Sequence, residues 1–157
     1  MKGNPHVLAA LRELLKYELT TINQSFLHAR MCLDWGYEGI AGKIRTHSIA
    51  SMVFAEQLVD RILFLEGMPN LRDTFAMRVG MDAGRIHASD LELSKETAAC
   101  ANRGIEVCVR LEDDSSRELI ESILDEEEER ISWLESQLMV IRDAGLGLYL
   151  SQQIRKR

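Results

Sequence analysis

Two glutamates sit where apolar residues are expected. One heptad-spaced seam runs through Leu8, Leu11, Leu15, Glu18, Ile22, Ser25, Ala29 and Cys32, and Glu18 lies in its middle. A second runs through Ile120, Leu124, Glu127, Ile131, Leu134, Leu138 and Ile141, with Glu127 in its middle. Buried carboxylates are costly unless something compensates their charge, so either they hold a metal or a cation lies beside them. Arg130 is three residues from Glu127 and on nearly the same helical face. The residue types alone favour a buried Glu–Arg cluster and leave the metal site as the alternative. A different chemistry is available at Met52, a soft thioether on an apolar stripe with Ile49, Val59 and Leu63. That stripe lies to one side of the seam Ile44, His47, Ser51, Phe54, Leu58 and Leu65, and Leu19 and Phe26 flank the first seam in the same way. A helix apolar on two sides has a second surface to bury, most simply against another copy of the chain.

These side chains need helices to position them, and the chain supplies helices only. No segment shows the alternation of a half-buried strand. Asn4-Pro5 is a helix start, with Asn as cap and Pro in the first turn, and nothing breaks the helix before about Trp35. A second helix runs from Glu38 or Lys43 to Glu66. From Arg85 to Ala144 there is no proline, and the break belongs at Glu112–Ser116, where Ser115 and Glu118 have capping-box spacing. A short fifth helix follows Gly147. The third helix carries Ile86, Asp90, Leu93, Thr97, Cys100, Gly104, Val107 and Leu111 on its seam, with Ser94 at the middle level. Short turns make helices one and two, and three and four, antiparallel pairs. Between the pairs lie residues 67–83, which can extend about 55 Å, enough to run the length of a 30-residue helix at about 45 Å. The expectation is an all-α four-helix bundle with one long crossover, the crossover's Leu71, Phe75, Met77 and Val79 packing as it goes.

Composition limits what such a bundle does. Of 157 residues, 19 are Lys or Arg and 25 Asp or Glu, so the net charge is -6, which argues against nucleic-acid binding. The basic close at Ile154–Arg157 is too short to reverse that. No apolar run is long enough to span a membrane and no export signal is visible. Cys32, Cys100 and Cys108 form no C-x-x-C pair and read as reduced core residues of a cytoplasmic protein.

Over essentially its whole length, residues 1–157 as one ferritin-like domain, the sequence resembles the bacterioferritins. The resemblance is carried by Asn23-Gln24, Phe26–Met31, Asp34–Gly36, Arg61–Leu71, Glu126–Glu128, Trp133–Glu135, Gly145-Leu146 and Tyr149-Leu150. It implies a hollow cage of twenty-four subunits storing an iron mineral, a haem b between two-fold-related subunits, and a di-iron ferroxidase centre inside each bundle. The family takes its iron ligands from one glutamate on helix one, Glu-x-x-His on helix two, a glutamate on helix three and Glu-x-x-His on helix four. The matching residues are Glu18; Ser51 and Phe54; Ser94; and Glu127 and Arg130, so only the two glutamates remain. Ser25, Thr46 and Ala50 stand where the family has a tyrosine, a histidine and an aspartate near the iron path. The family's haem axial ligand falls on Met52, with Leu19, Ile22, Asn23, Phe26 and Glu56 lining the pocket; Arg45 and Val53 replace polar or basic residues near the propionates.

The resemblance therefore implies a haem-binding subunit whose ferroxidase activity is lost, the haem carrying electrons inward to release iron. It would assemble beside a related, ferroxidase-competent subunit and draw on a ferredoxin-type electron donor. The alternatives are a ferroxidase-active bacterioferritin and a purely structural cage subunit without haem.

Overall fold

The computed structural model describes residues 1–154; the basic residues 155–157 lie outside the described residues. Four long helices, α1 (Pro5–Asp34), α2 (Glu38–Phe64), α3 (Ala83–Arg110) and α4 (Asp114–Ala144), precede a short α5 (Leu146–Ser151), and no strand occurs among the described residues. α1 packs along α2 and α3 along α4, while α1–α3 and α2–α4 contacts close the four-helix bundle. Its apolar core lies in two clusters. One is built around Leu11, Leu15, Leu58, Ile62, Ile120 and Ile123, the other around Cys32, Ile40, Ile44, Ile86 and Tyr149.

The helix ends follow from local chemistry. Asn4 caps α1 by accepting from the His6 N–H at 2.8 Å. At the other end Gly36, at φ +90°, lets the Tyr37 N–H reach back to the Cys32 carbonyl at 2.9 Å, the reversal that turns α1 into α2. The same reversal closes α2 and α3 at Glu66 and Glu112, non-glycine residues at φ 61° and 58°. α2 begins at Glu38 rather than Lys43, with no side-chain cap; instead the Gln153 carbonyl accepts from the Gly39 N–H at 2.9 Å. A Cβ at position 39 would lie 2.8 Å from the Gln153 side-chain oxygen and 3.4 Å from its backbone, so a larger residue there would displace only the Gln153 side chain.

Three expectations need correction. Asp113, not Ser115, caps α4: its carboxylate accepts from the Ser116 N–H and Oγ and is held by Arg61, which makes it the stronger acceptor. α5 starts at Leu146, before Gly147, because the Gly145 turn already presents its carbonyl to the Tyr149 N–H. Finally, the crossover is not held by its apolar side chains. Leu71, Met77 and Val79 are exposed, and only Phe75 packs, half-buried against Tyr17 with ring centres 4.4 Å apart.

What holds the crossover is a polar ladder. Thr20, Gln24 and His28 lie four residues apart along α1, all buried. They accept from the backbone N–H groups of Phe75, Arg78 and Gly80 at 2.9, 2.9 and 3.0 Å. An extended segment laid on a bundle has no strand beside it to take its N–H groups, so α1 supplies the acceptors. Asp90 of α3 backs the ladder, accepting from Gln24 Nε2 at 2.9 Å and from His28 Nδ1 at 2.8 Å.

Candidate functional site

At the middle of the bundle Glu18, Ser51, Ser94, Glu127 and Arg130 converge from all four helices, each nearly or fully buried. The buried line of α4 runs Ile120, Ile123, Glu127, Arg130, Leu134, so Arg130 points inward while Leu124 and Ile131 of the expected seam are only half-buried. The Arg130 guanidinium is the hub. Its Nη1 donates to Glu127 Oε1 at 2.9 Å and its Nη2 to the His47 carbonyl at 3.1 Å; both reach Ser51 Oγ, at 3.4 and 3.3 Å. Of the two seam carboxylates only Glu127 is paired with it. Both oxygens of Glu18, Oε2 of Glu127 and Nε of Arg130 are buried without a hydrogen-bond partner.

The electrostatics follow this geometry. Burial, reinforced by the facing Glu127 charge and opposed by Arg130, pushes Glu18 up to about 8. Glu127 is also raised by burial, against the pull of Arg130. At neutral pH Glu18 is thus protonated, while Glu127 lies against the Arg130 guanidinium. Among the described residues no group of three or more His, Cys, Asp or Glu side chains is arranged to hold a metal ion. Phe54 is half-buried and packs into the apolar core beside this centre.

A second surface lies on the outer side of α1 and α2. Met52 is 56% exposed and Phe26 60%, with Ile49, Val53 and Leu63 about half-exposed beside them. Leu19 and Ile22 are half-buried at the base of this face, while Asn23, Arg45 and Glu56 are exposed. The structure thus separates the candidate residues into an internal polar centre and an external apolar face. No described helix is long and apolar enough to cross a membrane.

The Ferritin family, a ferritin-like domain, matches residues 8–144. The chain is 38% identical to a bacterioferritin of Mycobacterium leprae, over 99% of this chain and 98% of that protein. It is 41% identical to a bacterioferritin of Streptomyces coelicolor, over 99% and 93%. With a bacterioferritin of Brucella melitensis it shares 37% identity over 95% and 92%. The chain belongs to the bacterioferritin family.

Within this bacterioferritin bundle, sequence reasoning missed two groups of buried residues. One is the crossover ladder, whose signal was the four-residue spacing of Thr20, Gln24 and His28 beside the apolar seam. The other adjoins the central site. His47 and His87 each meet Trp133 edge to face, with ring centres 5.3 Å apart. His87 Nε2 is 2.9 Å from the Tyr149 hydroxyl, which donates to Gln137 Oε1 at 2.8 Å. Burial is the main cause that lowers both imidazoles, His47 to about 3 and His87 to about 4. Both are therefore neutral aromatic packing partners at ordinary pH, and this group fastens α5 to the bundle. Nothing in its spacing announces it, since the contributing residues are spread over four helices.

Proposed function

We propose that this chain is a haem-binding, ferroxidase-silent subunit of an iron-storage cage. Membership of the bacterioferritin family supports iron storage in an oligomeric cage. The observation that carries the silent reading is Arg130, whose guanidinium is bonded to Glu127, Ser51 and the His47 carbonyl at the centre of the bundle. A guanidinium has no lone pair to give a metal and keeps its positive charge. Ser51 and Ser94 lack the reach of a carboxylate, and the ring of Phe54 has no donor atom. Two carboxylates remain, one carrying a proton and one bound to the guanidinium. This donor set does not fit a pair of iron ions. Ferrous iron is accordingly cargo for this subunit and not its substrate.

The outer face does fit a haem. Met52 would offer a soft thioether ligand from a half-exposed apolar surface, and Leu19, Ile22, Phe26 and Asn23 on α1, with Glu56 on α2, would line the macrocycle. When bound, haem supplies one-electron transfer toward the stored ferric iron. The protein's own part is to present the thioether and to exclude water when two copies of this face meet across a two-fold axis. The cage of twenty-four subunits includes a related subunit that retains all six iron ligands, and a ferredoxin-type protein delivers the electrons. Residues 1–157 act as one domain in this role.

Stopped-flow oxidation of ferrous iron tests the reading. The homomeric protein is expected to oxidise iron no faster than a non-catalytic control. Ser51→Glu, Phe54→His, Ser94→Glu and Arg130→His together should restore metal binding, whereas Arg130→His alone should not. Fast oxidation by the unmodified protein, or anomalous density for two irons between Glu18 and Glu127, overturns it. A cage from the native cell that holds only this chain, yet is filled with mineral, overturns the mixed assembly.

A further inference from the structure

Of the three rungs that hold the crossover on α1, His28 is the one that can gain a charge. Thr20 and Gln24 accept their backbone N–H groups through a hydroxyl and an amide oxygen, neither of which takes up a proton in the ordinary pH range. His28 accepts the Gly80 N–H through Nε2 at 3.0 Å, so that nitrogen carries no proton. The ring proton is therefore on Nδ1, which donates to Asp90 Oδ1 at 2.8 Å. Together the two partners select one neutral tautomer of a fully buried imidazole.

Nε2 has a single lone pair, for which a proton and the Gly80 N–H compete. Once protonated, Nε2 faces a second donor across the same gap, and the bond gives way to repulsion. The surroundings accept the new charge. Asp90 of α3 already holds Nδ1 and becomes the ion-pair partner of the imidazolium. His87, also on α3, is lowered by burial to about 4 and stays neutral where an ordinary imidazole titrates. Cys32, one turn further along α1, is raised to about 12 by burial and by Asp90, so it keeps its proton. On the crossover, Arg78 is engaged by Glu92 and Glu96, and Asp82 caps α3 through the Arg85 N–H.

The consequence falls on the last part of the crossover. Gly80 is the one buried residue between Gly67 and Asp82, and a Cβ there would overlap the Ile86 backbone at the start of α3. Its neighbours Val79 and Met81 are exposed. No other rung follows it before α3 begins at Ala83, whereas the Phe75 and Arg78 rungs lie upstream and do not depend on His28.

We propose that His28 is an acid-released catch: protonation of Nε2 frees Gly80, and the end of the crossover lifts from α1 while the four helices stay packed. The proposal rests on the bundle alone and is independent of the haem and iron readings.

Amide hydrogen exchange at residue resolution on the assembled protein tests the catch, with protection corrected for the intrinsic effect of pH. From about pH 8 to about pH 5, protection at Gly80 is expected to fall about tenfold, and at Phe75 and in α1 by less than about twofold. Exchange of the His28 ring Cε1 proton over the same range should show the imidazole titrating in step with the loss at Gly80. His28→Gln, whose amide both accepts and donates but does not titrate, should protect Gly80 equally at both ends of the range. Protection at Gly80 that does not change with pH overturns the catch, as does a His28 ring that stays neutral throughout. If Phe75 and α1 loosen by the same factor as Gly80, acid acts on the whole bundle and the catch is wrong. A pH dependence at Gly80 that survives in His28→Gln belongs to another group and overturns it equally.

Discussion

α1 presents two lines of buried polar side chains to the bundle, and they are finished very differently. Along one, Thr20, Gln24 and His28 each have a backbone donor to accept from, and Asp90 stands behind them. Along the other, Glu18 meets Glu127 and Arg130 in a centre where four buried polar atoms have no partner. The first line has a structural task, holding an extended segment whose N–H groups must be satisfied, and Thr20, Gln24 and His28 are each matched to it, with only Oδ2 of the Asp90 behind them left without a partner. The second retains carboxylates without the ligands that would give them a task, and one arginine plus one proton offset their charge. A buried polar group is thus worth asking about in proportion to what it leaves unmatched.

The largest test of this contrast is Glu127→Ala. It strands the Arg130 cation in the core, and denaturant unfolding at fixed protein concentration should show a loss of about 3–5 kcal/mol. A loss below about 1 kcal/mol would mean that Arg130 escapes to water and the centre is not closed. Next comes pH. Glu18 ionises near 4.5 when unfolded and near 8 when folded, so between these values the folded state holds a proton that the unfolded chain has released. The contribution of Glu18 to stability is fully present below pH 4.5, is lost as pH rises through the window, and levels off above 8. Glu18→Gln, which carries no titrating proton, should flatten that slope and leave only the part due to Glu127, which burial also raises. The smallest effect belongs to the finished line. Thr20→Val keeps the shape but loses the acceptor for the Phe75 N–H, and should cost about 1 kcal/mol. Hydrogen exchange should quicken at Phe75 and leave α1 protected.

The same contrast explains what could be read from the sequence. Helices α1 to α4, the crossover and the positions of Glu18 and Glu127 follow from periodicity and breakers, because seams and caps are local in the chain. The pairing of Arg130 with Glu127 was legible from their three-residue spacing. The failure of Glu18 to reach that arginine was not, because it depends on how far apart α1 and α4 stand. The crossover was misread because apolar residues at Leu71, Met77 and Val79 suggested packing, whereas the acceptors for its backbone lie some fifty residues earlier, on α1. Likewise Asp113 prevailed over Ser115 as a cap because Arg61, far away in sequence, holds its carboxylate.

The bond from the Gly39 N–H to the Gln153 carbonyl joins the first turn of α2 to the segment after α5, 114 residues later. Closing so long a loop costs more entropy than forming either helical hairpin, whose turns are short. The opening turn of α2, which has no side-chain cap, therefore gains this partner only when the segment after α5 is docked against it. One hydrogen bond thus ties the start of the second helix to the segment that follows the fifth, so removing that segment would leave the α2 N-terminus without its acceptor.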